Sequence, residues 1–256
     1  MPPRREIALH DLRRRIRDLE AGQRTYRAGV LPFGLDALDD ALPEGGLALG
    51  ALHEVAGGGS GLAHESAVLF TAGILARLDG PVLWVLAAPD LFAPGLAGAG
   101  LYPDRVIFAE VGSEARDDRT VLLAMEEGLR HGGLVAVVGE VSRLSLTASR
   151  RLQLAAEKSG ALAMVLRRHG GREPASRIEP NAASSRWRIV ALPSSPLPVP
   201  GLGRARWRVE LVRCRGGVPG SWELEACDAQ GRLAVPAALA DRPASAQPWP
   251  RRTLAA

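Results

Sequence analysis

The chain has 256 residues, of which 46% are hydrophobic and 23% charged, and its 32 Lys and Arg against 28 Asp and Glu give a formal net charge of +4. These are ordinary values for a globular protein, and no apolar run approaches the roughly 20 residues that a membrane-spanning helix needs. A chain of this length buries enough surface for one large core, and because its start lacks the pattern of a secretory signal we expect it in the cytoplasm.

The basic residues are concentrated at the two ends of the chain. Residues 1–30 hold eight arginines against four acids, and residues 161–256 hold fifteen against seven, whereas the middle is acidic. Such ends fit contact with nucleic acid or with an acidic partner, although solvated surfaces would give the same counts. Cys214 and Cys227 are not expected to face each other, so we predict neither a disulfide framework nor a zinc site.

The N-terminal segment, residues 1–30, is predicted to hold a short amphipathic helix and a linker. Between Arg5 and Glu20, apolar side chains recur at i, i+4 and i+7 and form a narrow stripe. The stripe consists of Leu12, Ile16 and Leu19. These three residues are candidate partner contacts, because such a helix must dock on the core of this chain or on a second protomer.

Strand-like and helix-like segments alternate along the predicted core, residues 31–240. Apolar runs typical of buried strands are Ala51–Ala56, Pro81–Ala87, Arg105–Val111, Leu134–Val141 and Ala161–Leu166. Segments with helical spacing are His64–Leu78, Asp118–His131 and Leu146–Ser159. This order predicts a doubly wound α/β domain whose mostly parallel sheet is covered on both faces.

The last third of the chain has a different pattern. Residues His169–Ser185, rich in Gly, Pro, Arg and Ser, are expected to form a loop. Arg206–Arg213 and Ser221–Cys227 predict a hairpin that extends the main sheet with antiparallel strands. Residues 241–256 are expected to be a disordered tail, in which Trp249 stands between two prolines as a candidate partner contact.

Two Arg-Trp-Arg units alternate strictly between charged and apolar residues. A strand places successive side chains on opposite faces. We therefore predict that Trp187 and Trp207 point into the core, whereas Arg186 and Arg206 face outward.

A glycine-rich loop with the sequence GGGSGLAHE follows the first core strand. In the hydrolytic phosphate loop, G-x-x-x-x-G-K-[ST], the lysine contacts the β- and γ-phosphates and the hydroxyl holds Mg²⁺. No register places a lysine here, since Lys158 is the only lysine of the chain. We interpret the loop as a degenerate phosphate loop that binds no cofactor, and it consists of Gly57, Gly58, Gly59, Ser60 and Gly61.

An ATPase also needs an acid at the end of a buried strand to support its magnesium ion. In the run Leu134–Val141, Gly139 occupies the expected place and Glu140 comes one residue late. A shift of one residue turns a side chain to the opposite face of a strand. We therefore interpret Glu140 as a solvated residue at a strand end, and we expect no metal site and no enzymatic activity.

The segment Phe33–Gly50 (FGLDALDDALPEGGLALG), followed by His53–Gly57 (HEVAG), resembles the entry to the RecA recombinase core. In that family a Leu-Asp pair, a Gly-Gly-Leu and a further Gly lead into the first strand and its phosphate loop. With the degenerate loop and the later Ser185–Arg188 stretch (SRWR), the chain resembles the ImuA family of RecA-like accessory proteins. The resemblance covers about residues 5–240 and implies a RecA-like P-loop NTPase fold.

The resemblance further implies a non-catalytic adaptor of the SOS response to DNA damage, acting in translesion DNA synthesis and mutagenesis. Its implied partners are an ImuB-like relative of Y-family polymerases, an error-prone replicative-type polymerase and RecA itself. It also places His169–Ser185 where RecA proteins carry a DNA-contacting loop. The candidate DNA contacts are therefore Arg167, Arg168, Arg172 and Arg177, although solvation explains a basic loop equally well.

Two other functions stay open at this point. An active RecA-type ATPase would need the missing lysine and acid. A SulA-like inhibitor of cell division would act by protein contact alone. Because proteins of that kind are shorter, the N-terminal helix and the long arginine-rich C-terminal part favour the mutagenesis adaptor.

Overall fold

The computed structural model describes residues 29–59, 63–86, 88–111, 118–168, 180–195, 201 and 203–236. Three predicted features lie outside these residues: the N-terminal helix with Leu12, Ile16 and Leu19, most of the loop at 169–185, and the tail with Trp249. Among the described helices, none has the length and apolar character needed to cross a membrane.

An eight-stranded sheet forms the centre of the fold. A short antiparallel ribbon of β1 (Val30–Leu31) and β2 (Leu47–Ala48) precedes it. The strands of the large sheet are β3 (Leu52–Gly58), β4 (Val82–Leu86), β5 (Val106–Glu110), β6 (Ala136–Val141), β7 (Leu162–Arg167), β8 (Ser185–Leu192), β9 (Arg206–Cys214) and β10 (Gly220–Glu225). Across the sheet their order is β10-β9-β8-β3-β7-β6-β4-β5.

The six strands from β8 to β5 are all parallel, and β9 and β10 extend them in antiparallel sense. This arrangement confirms the predicted fold class, a mostly parallel RecA-like α/β sheet with antiparallel C-terminal strands. The predicted hairpin is also confirmed, since β9 and β10 pair directly.

In the described part of the chain, five helices flank the sheet: α1 (Asp36–Asp39), α2 (Ala63–Ala76), α3 (Ala93–Ala97), α4 (Asp118–Arg130) and α5 (Leu146–Ser159). Two 3-10 turns lie at Pro43–Gly45 and Pro103–Arg105. Helix α2 packs on β3 and β8 from one side, which we call the α2 side. From the other side, the α4/α5 side, α4 packs on β4 and β6, and α5 packs on β3 and β7.

Local sequence explains where α5 starts and stops. The Ser145 hydroxyl accepts a hydrogen bond from the backbone N–H of Ala148 at 3.2 Å, which caps the N-terminus. Gly160 ends the helix with a φ of 78°, a left-handed conformation that glycine adopts without strain. The predicted range Leu146–Ser159 is therefore confirmed to the residue.

The two tryptophans of the Arg-Trp-Arg units lie in the core on the α2 side, as predicted. Trp187 is fully buried and Trp207 is 2% exposed. The ring of Phe70 lies 5.8 Å from that of Trp187 and 6.4 Å from that of Trp207, and Phe33 packs against Trp187 at 5.6 Å. These contacts join α2 to the C-terminal strands.

The prediction that Arg186 faces outward is wrong. Its side chain does lie on the side of the sheet opposite Trp187, but that position is buried, with only 7% of the residue exposed. The Arg186 Nε atom lies 2.8 Å from the Glu54 carboxylate on the neighbouring strand β3. Arg206 behaves more nearly as predicted, since its guanidinium pairs with the half-exposed carboxylate of Glu223 at 3.0 Å.

Candidate functional site

The carboxyl end of β3 carries the predicted glycine-rich loop. Gly57 and Gly58 still belong to the strand, and Gly59 has a φ of +86°. A Cβ added at Gly58 would meet the Val190 and Arg188 side chains of β8 at 2.7 and 2.9 Å, so only glycine fits there without displacing them. Ser60 and Gly61 lie outside the described residues.

Glu140 lies at the carboxyl end of β6 and is completely buried, so its interpretation as a solvated residue is wrong. Its carboxylate accepts hydrogen bonds from Trp84 Nε1, at 3.0 Å, and from Arg168 Nη1. The Nε2 atom of His64, in the first turn of α2, lies 3.7 Å away. Glu140 therefore points to the α2 side, toward the helix that follows the glycine-rich loop.

The pleat of β6 explains this orientation. Gly139 faces the α4/α5 side, where Met125 Sδ would lie 2.2 Å from an added Cβ. Its successor Glu140 must then face α2. Although Glu140 comes one residue after the position expected for the acid, the pleat of β6 presents it to the side that carries the loop helix.

Arg168 connects Glu140 to a second acid and completes a cluster. Asp90 follows β4, and both of its carboxylate oxygens accept hydrogen bonds from the Arg168 guanidinium. The hydrogen bond from Arg168 is the main cause that lowers the pKa of Asp90 below its usual value. Burial opposes the charge on Arg168, but Asp90 and Glu140 outweigh that effect and raise the Arg168 pKa. We call Glu140, Arg168, Asp90, Trp84 and His64 the Glu140 cluster.

The chemistry open to this cluster is limited. Glu140 lies beside α2, where an acid could support a magnesium ion, but Arg168 and Trp84 already occupy its oxygens. A metal ion would have to displace a charged hydrogen bond from a buried carboxylate, which costs several kcal/mol. The cluster contains two carboxylates and one arginine, so an incoming phosphate meets net negative charge.

A second buried acid, Glu54, sits on the α4/α5 side of β3. Its carboxylate lies 3.2 Å from Arg167 Nη1 and 2.8 Å from Arg186 Nε, and it accepts a hydrogen bond from Asn181 Nδ2 at 2.6 Å. We call these four residues the Glu54 cluster. It connects β3, β7 and β8 with the segment that leads into β8.

Arg167 and Arg168, two of the four candidate DNA contacts, belong to these two clusters. Their side chains are 16% and 10% exposed, and each pairs with a buried carboxylate. The local sequence gave no sign of this, because Glu54 and Glu140 lie far away along the chain. Arg172 and Arg177, the other two candidates, lie outside the described residues.

A buried histidine pairs with the start of β8, and sequence reasoning missed it. His53 Nδ1 lies 2.6 Å from the Ser185 hydroxyl, and its Nε2 lies 2.8 Å from the Ala48 carbonyl. Trp187 Nε1 donates to the same hydroxyl at 2.6 Å. Burial lowers the pKa of His53 to about 4, so the ring is neutral at pH 7 and its Nε2–H donates to Ala48.

Both cysteines are free thiols, Cys214 at the end of β9 and Cys227 after β10. Burial raises the pKa of Cys227 to about 12, which makes this thiol unreactive. Neither cysteine belongs to the two clusters.

Comparison with known proteins gives one clear relationship. Protein ImuA, in two strains of Caulobacter vibrioides, is 45% identical over 221 residues, which cover 82% of this chain and 88% of the relative. No family model matches the sequence. An identity of this size over most of both chains, together with the RecA-like sheet order, shows that this chain belongs to the ImuA family.

Proposed function

We propose that this chain is a non-catalytic, RecA-like adaptor of damage-induced translesion DNA synthesis. Its membership of the ImuA family supports a role in the imuA/imuB mutagenesis cassette. In this role the protein binds other proteins and brings them to damaged DNA, and it performs no chemical step.

One observation carries the non-catalytic part of this proposal. The buried acid beside the loop helix, Glu140, forms an ion pair with Arg168 of the same chain. An ATPase of this fold needs such an acid for magnesium and a lysine for the phosphates. Here the acid, Glu140, is already paired with Arg168, and the loop sequence has no lysine.

The proposed partners are an ImuB-like relative of Y-family polymerases, an error-prone replicative-type polymerase, and RecA itself. The resemblance to the ImuA family supports all three. Direct binding of DNA is a weaker expectation, because Arg167 and Arg168 are paired with buried carboxylates.

The experiment that tests this function uses cells whose own copy of the gene carries an affinity tag. After DNA damage, we expect the ImuB-like protein to co-purify with the chain. In parallel, Ser60→Ala removes the only hydroxyl between Gly57 and Ala63 and should leave damage-induced mutagenesis at the wild-type level. Capture of no ImuB-like protein would overturn the adaptor role. Loss of mutagenesis in the Ser60 variant, at unchanged protein level, would point to nucleotide chemistry.

A further inference from the structure

Among the described residues, no helix covers one side of the three C-terminal strands. On the α4/α5 side, the described helices pack over β3, β4, β6 and β7, and none of them packs closely on β8, β9 or β10. The strand register places seven half-buried or exposed charged side chains on this open side, besides the buried Arg186. We call them the arginine face: Arg188, Arg206, Arg208, Glu210, Arg213, Glu223 and Glu225.

All three glutamates of the arginine face are already paired. Glu225 pairs at 3.3 Å with Arg204, which precedes β9. Glu210 forms an ion pair with Arg188 at 2.5 Å, and Glu223 pairs with Arg206 at 3.0 Å. Arg208 lies between these pairs on the central strand β9, opposite Glu223. Its guanidinium forms no ion pair with any residue that the structure describes, so no described carboxylate compensates its positive charge.

Arg213 provides a second uncompensated charge. It lies opposite Arg186, whose nearest acid, Glu54, is shared with Arg167. The one hydrogen-bond acceptor of Arg213 within the described part of the chain is a neutral carbonyl, that of Ala183 at 3.0 Å. Allowing for the bulge in β9, Arg208 and Arg213 are about 13 Å apart along the strand.

The charge of the arginine face restricts what can cover it. Residues 1–28 hold eight arginines against four acids, and residues 237–256 hold three against one, so the two ends of this chain would be repelled. A second copy of the face carries the same excess of arginine. Glu210, Glu223 and Glu225, placed among the arginines, disfavour the continuous negative charge of a nucleic acid.

We propose that the arginine face docks an acidic, extended segment of a partner protein, with carboxylates of that segment pairing with Arg208 and Arg213. Carboxylates match the planar donor pattern of guanidinium groups and form two parallel hydrogen bonds with them. The inference rests on the proposed adaptor function, for which it supplies a binding surface and the chemistry of the partner.

The test compares two double variants with the same change of charge. Arg208→Glu with Arg213→Glu alters the arginine face, whereas Arg143→Glu with Arg150→Glu alters two exposed arginines elsewhere. Binding of fluorescein-labelled poly-L-glutamate is measured by anisotropy at low and at physiological salt. We expect the face variant to bind at least about tenfold more weakly than wild type, and the control to stay within about twofold. Should the glutamate variants misfold, Arg208→Gln with Arg213→Gln replaces them. This double variant is also expected to bind poly-L-glutamate more weakly than wild type.

Several outcomes would overturn the proposal. Equal weakening in both double variants would mean that only net charge matters. Tighter binding of single-stranded DNA than of poly-L-glutamate, lost in the face variant, would make the face a nucleic-acid site. Deletion of residues 1–28 or 237–256 that raises affinity about tenfold would show that the chain covers its own face. A titration with Mg-ATP on the same protein reports separately on the proposed function, so the two failures are distinguishable.

Discussion

Two consecutive arginines at the end of β7 neutralise two buried acids on opposite sides of the sheet. Arg167 pairs with Glu54 on the α4/α5 side, and Arg168 pairs with Glu140 on the α2 side. This follows from the alternation of side chains at a strand end. The end of β7 is therefore anchored from both sides by charged hydrogen bonds.

From the Glu54 cluster we predict that substitution of Arg186 lowers the free energy of unfolding more than substitution of Arg206 does. Removing Arg186 leaves the buried Glu54 with Arg167 and Asn181 alone, so Arg186→Ala should lower the free energy of unfolding by about 1–3 kcal/mol. The control Arg206→Ala breaks a more exposed pair and should cost about 1 kcal/mol or less. Urea denaturation measures both values, and equal effects would contradict the role given to Glu54.

His53 predicts a dependence of stability on pH. Its pKa is about 4 in the folded chain and 6.5 in the unfolded chain. The unfolded state therefore binds a proton first as the pH falls. The contribution of neutral His53 to the free energy of unfolding should be fully present above about pH 6.5. Protonation of this group alone should lower that free energy by roughly 3 kcal/mol as the pH falls toward 4.

The control for this prediction is His53→Gln, which cannot take up a proton. The variant should be less stable at pH 7, because it loses contacts with Ser185 and Ala48, but its stability should change less between pH 6.5 and 4. If the difference between the two proteins stays constant over that range, His53 is not the titrating group.

At the scale of elements, the sequence pattern predicted the strands and helices of the core well. The apolar runs at 82–86 and 136–141 are buried strands, because a parallel sheet covered on both sides selects such runs. The run at 106–110 is also a strand, but it lies at the edge of the sheet and exposes Ile107. Boundaries differed by a few residues, as at β3, which continues through Gly57 and Gly58. Glycine does not end the strand here, because the side chains of Val190 and Arg188 leave no room for a Cβ at Gly58.

Contacts between distant elements explain what the sequence pattern missed. Glu140 and Arg168 are joined by the pairing of β6 with β7, and Asp90 reaches them from the end of β4. No spacing along the chain encodes these contacts. Similarly, alternation gave the correct face for Arg186 but could not show that Glu54 and Asn181 lie there.

Strand β8 depends on Trp187, which packs between Phe33 and Phe70. Trp187→Ala should destabilise the fold by about 3–5 kcal/mol and yield largely insoluble protein. Trp187→Phe keeps most of the apolar volume and should remain soluble. An alanine variant that melts at the wild-type temperature would contradict the burial of this side chain.

At the scale of the whole molecule, we predict that residues 242–256 form a docking segment and take no part in folding. Trp249, held between two prolines and followed by arginines, has the composition of an interface anchor. Deleting residues 242–256 should leave Tm unchanged and weaken association with an ImuB-like partner, and Trp249→Ala should reproduce much of that loss. Undiminished affinity of the truncated chain would move the docking role elsewhere, first to the N-terminal helix.

We predict that the site beside the glycine-rich loop does not bind a magnesium nucleotide. Arg168 forms an ion pair with Glu140, the loop has no lysine, and Asp90 adds negative charge beside them. Calorimetric titration of the purified chain with Mg-ATP tests this most directly, with a RecA protein as the positive control. We predict no binding stronger than the millimolar range, which backbone N–H groups alone can provide. A micromolar dissociation constant, or ATP hydrolysis by the purified chain, would contradict the account.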